Sequence, residues 1–362
     1  MKSTRNVPSF GAYSLKLIAE LETDGRWGTA RTYTKTRSSF LHFLQKDSGS
    51  NDIPINRIDD RLISRYNLYL RGRAVVRNTM SFYNRVLRAI YNKAVCKFKF
   101  PDLRPFQNVY TGIDKTTSRA IDEGCIARLS TINTGSDAEL TIARDLFLFS
   151  YYTRGMSFVD MAYLRRTQIY GNVLTYTRRK TGKTLRILLE PEVKAILKKY
   201  TGVRSDSPYI FPLLAPVHHS DSKRNVYPFD SIETYRTYGS RLSQYNRKLR
   251  KLAEMAGIRN RFTSHVARHS WANAARNIGH CTEIISEALG HSSERTTRIY
   301  LASIGNSTID HLNRRLLSRL KKYLPVSTVE TGNKSGKASL MATDRPGSII
   351  SDSCLQTIVL ET

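Results

Sequence analysis

Three pieces of one stretch decide how this chain is read: Thr263-Ser-His265-Val-Ala-Arg268-His269-Ser, then Leu289-Gly290-His291, then Thr296-Thr-Arg-Ile-Tyr300. Apolar spacing makes helices of Ser264–Asn277, Thr282–Leu289 and Ser293–Tyr300, with tight breaks between them. His265 and Arg268 are three apart and fall on one helix face, so an imidazole and a guanidinium can converge on one group. A second imidazole, His291, stands nine residues before the phenol of Tyr300.

Upstream of this block the period changes. Gln168–Tyr170, Val173–Thr177 and Leu185–Leu189 read as three short strands joined by Gly171-Asn172 and by Lys180-Thr-Gly-Lys183, two tight turns. Helices are expected at Ile121–Leu129, at Ala138–Tyr152, from Pro191 onward, and at Tyr235–Ala256. A polar stretch, Thr201–Asp230, separates the last two. The first hundred residues read as helical throughout, over Ala30–Lys46, Asp59–Arg71 and Asn78–Lys97. In the last of these, Phe82, Val86, Ile90 and Ala94 form an apolar stripe with Tyr83, Leu87 and Tyr91 beside it, while Arg77, Arg85, Arg88 and Lys93 make the polar side basic. Phe100–Thr117, with two prolines and no period, reads as a linker. Thr308–Leu324 is a last amphipathic helix, and the segment from Val326 is expected to be disordered. The fold class is therefore mainly α with a small antiparallel sheet, in two domains, 1–105 and 118–325, joined by 106–117 and followed by a tail, 326–362.

Charge narrows the function. The 362 residues hold 58 Lys+Arg against 30 Asp+Glu, a net of +28. The excess is +12 over residues 1–110 and +17 over 111–325, so both folded regions carry it. Such a surplus is the footprint of a phosphate-rich partner. No window reaches the ~18 uninterrupted apolar residues of a membrane span, and the start lacks a signal-peptide core, so a cytoplasmic protein is expected. Cys96, Cys125, Cys281 and Cys354 are far apart, which argues against a disulfide scaffold or zinc ribbon.

The H-x-x-R, L-G-H and tyrosine pieces, with the nine-residue interval, resemble the tyrosine recombinase (phage integrase) family. The resemblance covers residues 111–325 by motif, and 13–100 only as the helical, SAM-like core-binding domain that precedes such mixed α+β catalytic domains. It implies a site-specific DNA recombinase working through a 3′-phosphotyrosyl intermediate, with double-stranded DNA as partner and no cofactor or metal. It also implies a tetramer on two DNA sites, in which the Thr308–Leu324 stripe docks into a neighbour, docking in cis as a core helix being the alternative. Arg314, Arg315, Arg319, Lys321 and Lys322 on the other face would keep the undocked helix soluble, so free protein is expected to be monomeric. Residues 1–12 are too short for a separate arm-binding domain, so a compact recombinase is expected.

The implied chemistry suits these residue types. Without a metal, charge on the non-bridging oxygens of a phosphodiester needs fixed guanidinium and imidazole donors. Arg268 and His265 supply them, and His291 matches the residue that buttresses the nucleophile. Tyr300 is that nucleophile; its phenol, pKa ~10, needs a base or a positive field. Lys180 matches the lysine that protonates the departing 5′-oxygen, with Lys183 as the fallback. The departure is at the family's first arginine, where Ser157 stands. Arg154, three residues earlier, is the expected substitute, ahead of Arg144, Arg165 and Arg166.

Three alternatives are weaker. His265 and His269 have the i, i+4 spacing of a zinc helix, but Val266 occupies the position of its general-base glutamate. A non-catalytic DNA-binding protein has no need of an intact H-x-x-R pair and tyrosine. A type IB topoisomerase shares the active-site logic, and the paired helical domains and last helix favour recombination over it.

Overall fold

The computed structural model describes residues 7–114, 119–200, 207–214 and 231–301. The expected helix Thr308–Leu324, the tail from 326 and most of the 201–230 stretch lie outside the described residues.

The N-terminal part packs four helices around one core. The first, α1 (Phe10–Thr23), is absent from the sequence reading although its pattern is regular: Phe10, Tyr13, Leu17 and Leu21 are buried at three- and four-residue steps, and the Ser9 hydroxyl caps its start. It lies against α2 (Trp27–Ser48), which ends at Gly49 in the left-handed conformation. In α3 (Asp60–Gly72) the Asp59 carboxylate accepts from Leu62 N at 2.8 Å. Tyr66 of α3 sits between Phe40 and Phe43, each ring centroid 5.2 Å away.

The last of the four, α4 (Arg77–Phe98), buries Leu87, Ile90, Tyr91 and Ala94 as expected but turns the face away from Phe82 and Val86. Its buried face runs through Met80, Asn84, Leu87, Ile90, Tyr91 and Ala94, and Phe82 and Val86 are only half-buried. The rotation has a polar cause: Asn84 and Asn67 of α3 exchange side-chain amide hydrogen bonds at 2.9 and 3.2 Å inside the core. A fully paired amide couple is tolerated where a lone one is not.

Nor does the segment after α4 run free. Phe106 is buried with the α1–α4 core, Leu103 N donates to the Tyr91 hydroxyl, and Asn78 and Asp114 bond each other twice. Arg77 stacks 3.9 Å from the centroid of Tyr110, and Arg88 reaches Thr111, so two of the expected docking cations already contact this segment.

A second, separate core holds α5 (Glu123–Thr131), α6 (Ala138–Tyr152), α7 (Phe158–Ala162), the strands, α8 (Pro191–Tyr200), α9 (Ile232–Met255) and the start of α10 (Val266–Asn277). The sheet is antiparallel in the order β1 (Ile169–Tyr170), β2 (Val173–Thr177), β3 (Thr184–Leu188), with Leu174 opposite Ile187. Alternation puts Leu174, Tyr176, Leu185 and Ile187 inward. Helix α6 is apolar almost all round and packs on α8, α9 and α10. Its one deep charge, Asp145, is ringed by Arg144 at 3.1 Å, Lys199 at 3.0 Å and the Tyr200 hydroxyl at 3.0 Å. A small third cluster joins α10 to α11 (Thr282–Ala288) and to the residue that follows α12 (Glu294–Tyr300), through Ala272, Ala275, Ile285, Leu289 and Leu301.

Candidate active site

The site is assembled where four chain segments meet. After α6 the backbone reverses through Arg154 and Gly155, at φ +61° and +71°. Gly155 is obligatory on two counts: its φ is left-handed, and a Cβ there would stand 2.7 Å from Arg268 Cα. That contact lets Arg268 reach across, and its Nη1 donates to Gly155 O at 2.8 Å. Ser157, where the family arginine was expected, instead opens α7 and gives its hydroxyl to the buried Asp160 at 2.6 Å.

Asp160 then fixes the β2–β3 turn by accepting from Arg179 N at 2.9 Å. Three successive side chains of the turn diverge. Arg178 points inward and is only 4% exposed; Arg179 stacks on Tyr163, 4.2 Å from its centroid; Lys180 is exposed. The turn is also tied to the segment after α11. Arg178 Nη1 and Thr181 Oγ1 both donate to Gly290 O, at 2.8 and 3.0 Å, and Lys183 pairs with Glu287.

Arg268, the third residue of α10, is 2% exposed, and its Nη2 donates to Leu289 O. The two buried guanidinium groups thus grip consecutive carbonyls, those of Leu289 and Gly290, immediately before His291. Gly290 permits it: its φ is +63°, and a Cβ would press within 3.3 Å of Arg178 Cδ. His291 is buried and its Nδ1 shares a hydrogen with the wholly buried Thr297 Oγ1 at 2.7 Å. His265 stands at the start of α10 with an open edge.

Electrostatics link these groups. Burial, then Arg268, Arg178 and Lys180, push His291 down to about 3. Burial of the ring against its neighbours, followed by Arg268, Lys180, Arg119 and Arg178, also lowers His265. Both imidazoles are therefore neutral at pH 7, inside a pocket of concentrated positive charge. Arg154 acts with Arg268 and Arg178 on the buried Tyr176, and the cations that weigh most on the two histidines are the others. It makes a long contact, 3.4 Å, to Arg186 O and lines a groove with Tyr151, Tyr152 and Trp271. Tyr300 ends α12, and its side chain lies outside the described residues.

Arg268, His265, His291 and Lys180 are thus brought together, Arg154 weighs less on the histidines, and Arg178 is an addition. In the sequence Arg178 is one cation in a basic turn. Only the contact with Gly290, 112 residues away, buries it.

Sequence profiles of known families agree with this architecture. Residues 130–306 match the phage integrase family, and residues 9–109 match the phage integrase SAM-like domain. The chain belongs to the phage integrase family. Among tyrosine recombinases, it is 33% identical over 70 residues to one from Pseudothermotoga lettingae, covering 19% of this chain and 24% of that protein. An integrase/recombinase of Escherichia coli is 27% identical over 106 residues, 29% of each chain. These alignments span less than a third of the relatives' lengths. The fold is shared with a lambda integrase solved as a tetramer bound to a Holliday junction, at a TM-score of 0.57 and 14% identity, over 83% of this chain and 79% of that one.

Proposed function

We propose that this integrase-family chain is a site-specific DNA recombinase that cuts and rejoins duplex DNA through a phosphotyrosine. The Tyr300 oxygen attacks the scissile phosphorus and the P–O5′ bond breaks. The 3′-phosphate stays on Tyr300, and Lys180 gives its proton to the departing 5′-oxygen. His265, held neutral, is the base available for the phenol proton, and His291 positions the attacked phosphate. Arg268 neutralises a non-bridging oxygen as the fifth ligand develops. A 5′-hydroxyl from a second duplex reverses the step, so bond energy is conserved without a nucleotide.

One observation carries this reading: buried and exposed cations converge on two neutral histidines around Leu289-Gly290-His291, nine residues before a tyrosine. Two separate cores support a helical DNA-binding domain, whose core reaches past residue 105 to take in Phe106, and a catalytic domain over 118–325, holding one duplex in the cytoplasm. Four protomers would join two sites, as the lambda integrase tetramer does on its junction, with free protein monomeric. The groove of Tyr151, Tyr152, Trp271, Ile278 and Ile284 suits the Thr308–Leu324 stripe of a neighbour.

A nicked duplex library with a randomised core tests the proposal, because loss of the short 5′ strand traps the covalent complex. Wild-type protein is expected to capture DNA in SDS-resistant form, and sequencing the captured DNA defines the site. Tyr300→Phe is expected to capture none; capture by that variant overturns the assignment.

A further inference from the structure

A phosphodiester in transit to five-coordination spreads charge over two non-bridging oxygens, and Arg268 already spends an N–H of each terminal nitrogen on Gly155 O and Leu289 O. Ser157, at the family's first-arginine position, offers no cation and is committed to Asp160. A second guanidinium has to come from elsewhere in the fold.

Arg178 meets the geometric requirement. It is 4% exposed, and the turn fixes its backbone, with its N–H on Lys183 O and its carbonyl accepting from Gly182 N, both at 2.8 Å. Its Nη1 is held on Gly290 O, one residue from the carbonyl that holds Arg268. Among the described residues its buried Nε has no acceptor and no carboxylate lies within ion-pair distance of it. A buried cation with a spare donor and no counter-ion costs free energy until an anion arrives. Asp160, which could have supplied that anion, is taken up by Ser157 and by Arg179 N.

The competing arginines are engaged elsewhere. Arg144 pairs with Asp145, Arg166 donates to Ser207 O, and Arg154 lines the apolar groove.

We infer that Arg178, the first residue of the hairpin turn, replaces the missing family arginine and donates from its guanidinium to a non-bridging oxygen of the scissile phosphate. This rests on the recombinase reading above. It makes the turn bifunctional: Arg178 neutralises the phosphate, while Lys180, two residues on, protonates the leaving oxygen. Docking of the turn on Gly290 would therefore deliver charge and proton together.

The test uses full-length protein and a nicked duplex of the captured core sequence, carrying either a normal phosphate or a methylphosphonate at the cleavage position. Replacing one charged oxygen by methyl removes the charge that a guanidinium neutralises. Arg178→Gln, which keeps a donor for Gly290 O, is expected to cut the phosphate duplex about a hundredfold more slowly than wild type, in line with other oxyanion donors. Its affinity for the duplex should stay within about threefold of wild type. On the methylphosphonate duplex the deficit should shrink to less than about tenfold. Arg178→Lys keeps the charge but loses the fork, and carries the same comparison if the Gln variant does not fold. Cleavage of the phosphate duplex within threefold of wild type overturns the inference. So does an equal deficit on both duplexes, the mark of a merely structural arginine. Absence of any wild-type adduct defeats the recombinase reading itself, and the inference with it.

Discussion

Two places in the second half of the chain bury charge, and they solve the problem differently. Asp145, 1% exposed in α6, is met by Arg144, Lys199 and the Tyr200 hydroxyl, and every partner is the protein's own. Arg178, 4% exposed at the hairpin, is met among the described residues by a carbonyl alone, and its charge adds to those of Arg268 and Lys180. The first arrangement is closed, because its charges sum within the fold. The second is open, because like charges gather beside two neutral histidines and leave a place for an anion. Closed charge serves stability; open charge stores a binding preference that a phosphate redeems.

If that contrast is right, the two places break differently. Arg268→Ala should slow cleavage by about two orders of magnitude or more while single-site DNA binding persists, as measured by trapping and by gel shift. Lost binding with intact cleavage chemistry would reverse the division. Asp145→Ala should do the converse. Leaving the largely buried Arg144 without its carboxylate and the Tyr200 hydroxyl without its acceptor should cost roughly 3 kcal/mol in urea unfolding, with cleavage per folded molecule unchanged.

A polar pair without charge should fall between. Asn84→Leu deprives the Asn67 amide of its partner and should cost about 1–3 kcal/mol, with cleavage again unaffected. An unchanged unfolding midpoint would show that the α3–α4 amide couple contributes nothing.

The last is a pH dependence, confined to acid and absent at neutral pH. His291 is depressed to about 3 in the folded protein, below the ordinary histidine value near 6.5. Between those limits the unfolded chain takes up a proton that the native state refuses, so stability falls as pH drops from 6.5 toward 3. The slope is about 1.4 kcal/mol per pH unit for one site. His291→Gln should remove that share of the slope, and a wild-type ring that titrates near pH 6.5 by NMR would contradict the burial argument.

How much of this was legible in the sequence depended on whether the signal was local. The hairpin strands and α6 were readable because alternation, glycine turns and apolar spacing act over a few residues. His265, Arg268 and His291 stand at intervals set by helix and turn lengths, and the structure brings these three near one another. On α4, Leu87, Ile90, Tyr91 and Ala94 were legible, but Phe82 and Val86 were set too deep because size and polarity of single residues do not reveal that Asn84 pairs with Asn67, 17 positions away. Helix α1 had a regular pattern at Phe10, Tyr13, Leu17 and Leu21 that went unread. Arg178 had no local signal at all: in Arg178-Arg-Lys180 the three cations look alike. Only docking against Gly290 separates the inward one from the stacked and the exposed ones.

The central claim is a covalent bond between one phenol and one phosphate. The most direct measurement digests the trapped wild-type complex with protease and nuclease and sequences the nucleotide-bearing peptide by mass spectrometry. The account predicts a 3′-phosphonucleotide on Tyr300, in a peptide containing Thr296-Thr-Arg-Ile-Tyr300 or its tryptic remnant. A nucleotide on any other residue, or one joined through its 5′-phosphate, would contradict it.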